Sequence, residues 1–127
     1  HQGAGYAYPV LTAMEATEAD LVYNMTKAMV DLFPAYEGNS PGINGWALDK
    51  QNMEWVVPYH EGAIRYYTEA GVWNDAAQAH NDNLVARQAA LKAAWDATVA
   101  AAPEDFEAAW SEARRKALVD GGFNVVF

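Results

Sequence analysis

His60 and His80 are the side chains from which acid–base or metal chemistry would have to start. They are separated by twenty positions and fall on different predicted helices, which excludes the i,i+4 spacing of a helical metal site. Glu61 follows His60, but adjacent residues of a helix do not face each other, so they form no acid–base pair. The chain contains no Cys, which excludes a Cys nucleophile and a thiolate zinc site. No catalytic residue and no metal ligand set is therefore predicted.

The candidate binding residues lie in residues 57–73, VPYHEGAIRYYTEAGVW. Pro58 prevents a helix from continuing into this stretch, so a new helix begins at His60 or at the residue after it. Free backbone N–H groups at that helix start, beside Tyr59 and His60, would suit an anion. Arg65 carries the forked guanidinium group that holds a carboxylate. The candidate ligand-binding residues are Tyr59, His60 and Arg65.

Each candidate also has a purely structural interpretation. His60 is the residue that would cap the helix, with its ring half packed. Arg65 lies four residues after Glu61 and four before Glu69, so both carboxylates could neutralise it within its own helix. His80 lies on the apolar stripe of a later helix and is predicted to be a structural or interface residue.

The first third of the chain is predicted to form a strand, a helix and a loop. Residues 7–14, AYPVLTAM, form a short apolar run that suits an edge strand. Thr17 is the predicted cap of a helix that ends before Pro34. A glycine-rich loop follows, and residues 47–55 are predicted to form a short helix capped by Asp49. The predicted buried face of the first helix consists of Leu21, Met25, Ala28, Met29 and Leu32.

The second half is predicted to be a helical hairpin. Gly71 ends the helix that begins near His60, and Asn74 caps a long helix that reaches about residue 102. Pro103 is the predicted first residue of the last helix, which the Gly pair at residues 121–122 ends.

The two long helices are joined by very few residues, which predicts an antiparallel pair. Trp95 should therefore face Phe106 and Trp110. The apolar tail at residues 123–127 is predicted to dock as a strand or extended segment.

Charge restricts the partners. The formal net charge is −9, which disfavours nucleic acid and anionic membranes as partners. The one basic cluster, residues 114–116, is predicted to complement the dipole at a helix end. The predicted helices and strands together give a fold class that is mainly α, with a minor β contribution of one or two short strands.

Two segments resemble the C-terminal part of TAXI-family solute receptors, the substrate-binding proteins of tripartite (TRAP) transporters. The run YPVLTAMEATEADLVYNMTKAMVD resembles the family's late strand and its D-V-Y-x-x-T-K-A helix. The run VPYHEGAIRYYTEAGVW resembles the family's V-P-x-H-x-G-A-x-R-Y-Y/F-x-E-x-G ending. The later HNDNLVARQAALKAAW helix resembles an extension of longer members. Glu61 replaces the Pro that many members have after the His.

The resemblance implies a periplasmic receptor that is not an enzyme and needs no cofactor. Its two α/β lobes would close on a small anionic solute, such as a dicarboxylate or an amino acid, and then dock on membrane permease subunits. Such receptors are longer than this chain, so we expect a C-terminal fragment. Residues 1–73 would be part of the C-terminal lobe, and residues 74–127 a hairpin extension with an apolar tail.

Two other functions remain open at this point. The chain could be a self-contained helical module for oligomerisation without a small-molecule ligand, or an enzyme that uses His60. Because a fragment cut from a larger fold exposes apolar surface, a homo-oligomer is also expected.

Overall fold

A computed structural model describes residues 10–125 of the chain, and their fold is helical. The five α-helices are α1 (Ala19–Asp31), α2 (Phe33–Tyr36), α3 (Glu61–Glu69), α4 (Asp75–Ala101) and α5 (Phe106–Asp120). Two short 3-10 turns, Ile43–Trp46 and Leu48–Lys50, lie between α2 and α3. The mainly α prediction is confirmed.

The described residues divide into two compact units. The first unit comprises residues 10–55 and 59–77, and the second comprises residues 56–58 and 78–125. The predicted boundary after residue 73 stays a prediction. Each unit is described by itself.

The predicted strand at residues 7–14 is wrong for the residues that the structure describes. Residues 10–14 have no regular structure, and no strand occurs anywhere between residues 10 and 125. A strand is stabilised by hydrogen bonds to a neighbouring strand, and none is present there. Leu11 and Met14 are exposed, so the apolar run is not buried as predicted. Residues 7–9 lie outside the described residues.

The predicted cap of α1 is wrong by one residue. The N-cap is Glu18, and its side chain makes no capping hydrogen bond. Thr17 instead belongs to the preceding turn, where its N–H donates to the carbonyl of Met14 at 3.0 Å. The helix ends at Asp31, near the proline that was predicted to end it, and Pro34 then lies in the first turn of α2.

The predicted buried face of α1 is wrong for three of its five residues, since only Ala28 and Met29 are half-buried. Leu21, Met25 and Leu32 are exposed, whereas Val22 and Val30 pack against the core of the first unit. Both sides of α1 are apolar enough to be buried, so periodicity alone could not choose between them. The choice is made by α3, which contacts the side that carries Val22.

The segment between α2 and α3 contains less helix than predicted. Residues 47–55 contain only the 3-10 turn Leu48–Lys50, so Asp49 does not cap a longer helix. Gln51 ends the turn in an extended conformation, and its side-chain amide donates to the carbonyl of Ala47 at 2.9 Å. The segment is thus a loop fixed by side-chain hydrogen bonds.

The core of the first unit lies between α1 and α3. Its buried residues are Ala63, Tyr66 and Tyr67, all on α3. Gly62, in the first turn of α3, is buried against α1. A Cβ atom on Gly62 would lie 2.8 Å from the backbone nitrogen of Tyr23 and 2.9 Å from the Cβ of Val22. The absence of a side chain at this position is therefore what lets the two helices approach.

The end of α3 is the glycine cap that the sequence predicts. Gly71 has a φ of 73°, in the left-handed region. Its N–H donates to the carbonyl of Thr68, and the N–H of Val72 reaches back to the carbonyl of Tyr67, both at 3.0 Å. These two bonds form a Schellman motif, and Val72 packs on the core as its hydrophobic contact.

The second unit contains the rest of α4 and all of α5. The cap by Asn74 at the start of α4 is confirmed, because its side-chain oxygen accepts from the N–H of Ala77 at 2.9 Å. Ala102, just past the end of α4, has a φ of 42°. The helix α5 begins at Phe106 rather than at the predicted Pro103. Its N-cap is Asp105, whose carboxylate accepts a hydrogen bond from the N–H of Ala108 at 3.0 Å.

The predicted contact between α4 and α5 is confirmed. The ring of Trp95 meets those of Phe106 and Trp110 edge to face, at centroid distances of 5.3 and 5.0 Å. The basic residues 114–116 lie within α5, before its last turn, and not at its end as predicted. Arg115 and Lys116 each form an ion pair within α5, with Glu112 and Asp120 respectively.

The apolar tail is only partly described. Phe123 is half-buried, and its N–H donates to the carbonyl of Leu118 at 2.8 Å, which completes the glycine cap of α5. Residues 124 and 125 are exposed and have no regular structure, and residues 126–127 lie outside the described residues. No strand forms at residues 123–125.

We predict that Gly62→Ala separates α1 from α3. The new methyl group would meet backbone atoms of Ala19 and Tyr23, which cannot rotate away, so the loss should be about 1–3 kcal/mol or more in the free energy of unfolding. Gly45→Ala is the matched control, because a Cβ there meets nothing within 4 Å. Urea unfolding of both variants checks this, and an equal midpoint for the two would contradict it.

Candidate functional site

His60 forms the N-terminal cap of α3. Its Nδ1 accepts a hydrogen bond from the backbone N–H of Gly62 at 3.1 Å. Because Nδ1 is an acceptor, the neutral ring carries its proton on Nε2. Nε2 is buried and has no hydrogen-bond partner among the residues that the structure describes. The structural interpretation of His60 as a half-packed cap is therefore the one that the geometry supports.

Tyr59 belongs to the aromatic part of the same core. Its ring contacts Tyr67 and Trp73 edge to face, at centroid distances of 5.7 and 5.4 Å. Its hydroxyl group donates to the backbone carbonyl of Asn52 at 2.8 Å. Burial raises the pKa of the Tyr59 hydroxyl above its usual value. Tyr59 thus links the loop before α3 to the core.

Arg65 does not make the ion pairs that its spacing predicts. Its guanidinium pairs across the helix interface with Asp20 of α1 at 2.8 Å, rather than with Glu61 or Glu69. It also lies over the ring of Tyr23, 4.2 Å from the ring centroid. The packing of α1 against α3 brings these partners within reach. The residues three and four positions from Arg65 on its own helix carry no aromatic ring.

The polar residues of α1 that line its contact with α3 were not predicted as site residues. Tyr23 donates its hydroxyl hydrogen to Glu69, and this bond raises the Tyr23 pKa. Lys27 lies 5.8 Å from the centroid of the Tyr66 ring. Asp20, Tyr23 and Lys27 recur at helical spacing on α1, which places them on one face but does not say which residues of α3 they meet. We call Asp20, Tyr23, Lys27, Arg65 and Glu69 the polar rim.

The three predicted site residues therefore have different environments. Tyr59 and His60 lie at the start of α3, where their polar atoms are bonded to the chain or buried. Arg65 lies in the polar rim, with half of its side-chain surface exposed. The geometry leaves Arg65 as the only one of the three with a charged group open to solvent. Contact of any of them with a solute stays a prediction.

The described residues contain no group of three or more His, Cys, Asp or Glu side chains placed to hold a metal ion. Within the same residues, no helix is both long and apolar enough to cross a membrane. His80 is half-buried on α4, in the second unit.

We predict that His60→Ala weakens the start of α3. Removal of an N-cap side chain costs about 0.5–2 kcal/mol, and Ala leaves the Gly62 N–H without its acceptor. His60→Asn is the control, because a side-chain amide oxygen restores an acceptor at the cap. The midpoint of urea unfolding should be higher for His60→Asn than for His60→Ala. The reverse order would contradict the capping role.

We predict that Tyr67 makes the free energy of unfolding depend on pH in the alkaline range. Burial raises its pKa to about 12, from a usual value of 10.0. The folded chain therefore keeps a proton that the unfolded chain loses, so the free energy of unfolding is highest below pH 10 and falls as the pH rises towards 12. Tyr67→Phe should flatten this fall in urea unfolding measured from pH 9 to 12. An equally steep fall in the variant would contradict the assignment to Tyr67.

The sequence pattern of the NMT1-like family matches residues 7–71 of the chain. This match covers just over half of the 127 residues and includes α1, α3 and the three predicted site residues. It ends before α4, so the resemblance of α4 to an extension of longer receptors stays a prediction. No curated protein and no solved structure matches the chain.

Proposed function

The chain belongs to the NMT1-like family, a periplasmic-binding-protein-like family, and we propose from this membership that it is a solute-binding receptor component of a TRAP-type transporter. The match over residues 7–71 is the observation that carries the proposal, because it includes α1 and α3, and Arg65 lies on α3 where it contacts α1. The receptor would bind a small anionic organic solute, a dicarboxylate or an amino acid, in the periplasm. It would then deliver the solute to membrane permease subunits without chemical conversion. The chain would supply part of the C-terminal lobe of a two-lobed α/β receptor.

Arg65 is the residue that we propose binds the solute carboxylate. Its present partner is weakly held: the side chains of Arg65 and Asp20 are 50% and 83% exposed, and exposed ion pairs contribute little stability. A solute carboxylate can replace that of Asp20 and form two parallel hydrogen bonds with the guanidinium. The Tyr23 ring below the guanidinium would hold it in position during the exchange.

Tyr59 and His60 would act mainly through the position of α3. The cap made by His60 fixes the first turn of the helix, and Tyr59 fixes the preceding loop. These contacts give α3, and therefore Arg65, a defined position relative to α1. Direct contact of either side chain with the solute would require its present hydrogen bond to be exchanged.

A thermal-shift screen of organic acids and amino acids on the full chain tests the proposal. A bound solute at a hundredfold excess over its Kd stabilises the folded state by about 2.7 kcal/mol. Arg65→Gln should weaken binding by about tenfold or more, because a charge-assisted hydrogen bond is lost. Lys92→Gln is the control, since Lys92 also forms an exposed ion pair, with Asp96, but lies on α4.

Two results would contradict the proposal. One is the absence of stabilisation by any acid in the screen. The other is equal binding by wild type and Arg65→Gln, which would place the carboxylate elsewhere. Conversion of a bound acid that is abolished by His60→Ala would instead favour an enzyme.

A further inference from the structure

The second unit has an apolar groove between α4 and α5. On α5, Phe106, Trp110, Ala113 and Ala117 recur at alternating spacings of four and three residues, which places them on one face. Phe106 is still 37% exposed and Trp95 43% exposed, although their rings touch. The α4 helix therefore covers this face only in part. The groove is lined mostly by small side chains, and on α5 its lining includes Ala113, Lys116, Ala117 and Asp120.

The charges along α5 are arranged in blocks. Glu107 and Glu112 lie in the first half of the helix, and residues 114–116 form a basic run after them. Lys116 also lines the groove, and its ion pair with Asp120 is exposed, with 70% and 60% of the two side chains accessible. Since exposed pairs of this kind contribute little, Lys116 can exchange Asp120 for another carboxylate without a large loss of stability.

We propose that the groove is occupied by α5 of a second copy of this chain, antiparallel to the first about a two-fold axis near residue 114. In this arrangement the acidic first half of each α5 lies beside the basic run 114–116 of the other. Glu112 of each chain then lies beside Lys116 of the other, and the small side chains of Ala113 and Ala117 allow close approach. The exposed aromatic surface near Phe106 loses contact with water at the same time.

Self-complementary charge is the reason for choosing a second copy as the occupant. A two-fold axis brings the same patch of both subunits together, so each attractive pair occurs twice. The α5 sequence satisfies this condition with Lys116, which lines the groove, and Glu112, one turn earlier on the helix. The ion pair of Glu112 with Arg115 is exposed and 3.7 Å long, so Glu112 can exchange it as Lys116 can exchange Asp120. An unrelated partner would need the inverse charge order on its own surface, whereas a second copy has it by symmetry.

Light scattering after size exclusion, on the full chain at micromolar concentration, tests the proposal. The expected mass is twice the 13.9 kDa of one chain. Glu112→Lys and Lys116→Glu each place like charges together twice in the homodimer, so each should weaken dimer formation by about tenfold or more. An equimolar mixture of these two variants restores both attractive pairs and should recover the dimer.

The mixing experiment separates docking from folding, because each variant is measured alone and then with its complement. Circular dichroism should show equal helix content in all samples. Lys92→Glu is the matched control for the charge change, since Lys92 lies on α4 but not in the groove. A monomeric wild type overturns the proposal. A dimer that survives both single variants also overturns it, and places the interface on another surface, such as the exposed side of α1.

Discussion

The close approach of α1 to α3 is the contact on which the first unit depends. It exists because Gly62 has no side chain: a Cβ atom there would meet the backbone of α1. Once the helices are this close, Tyr66 and Tyr67 are buried, Tyr23 packs edge to face on Tyr66, and the polar rim forms along the edge of the interface. Small residues at a helix crossing commonly have this role, since interaxial distance depends on the side chains at the contact.

The same contact determines what each predicted site residue can do. His60 and Tyr59 lie beside Gly62, and their polar atoms are used to fix the start of α3. Arg65, one turn later, lies where α1 supplies an acidic partner and an aromatic ring. A receptor site needs a cation that is held in place but still open to solvent, and Arg65 meets that condition. The proposed function therefore depends on a residue that the packing positions without burying it.

The sequence predicted the features that local chemistry determines. Three of these features follow from short-range rules and are present: the helix end at Gly71, the helix cap at Asn74 and the contact of Trp95 with Trp110. The features that it could not predict depend on contacts distant in the chain. Arg65 is 45 residues from Asp20, so its choice of partner could not be read from i,i+4 spacing. The apolar residues on both sides of α1 likewise left its buried face undetermined.

The most direct test of the account is the solute affinity of Asp20→Asn, measured by calorimetric titration of succinate and glutamate. Asp20 is the carboxylate that we propose the solute displaces, and Asn keeps its shape while removing the charge that competes for Arg65. We expect the variant to bind more tightly than wild type, for whichever of the two acids binds. Weaker or unchanged affinity would contradict the claim that Arg65 exchanges Asp20 for the solute.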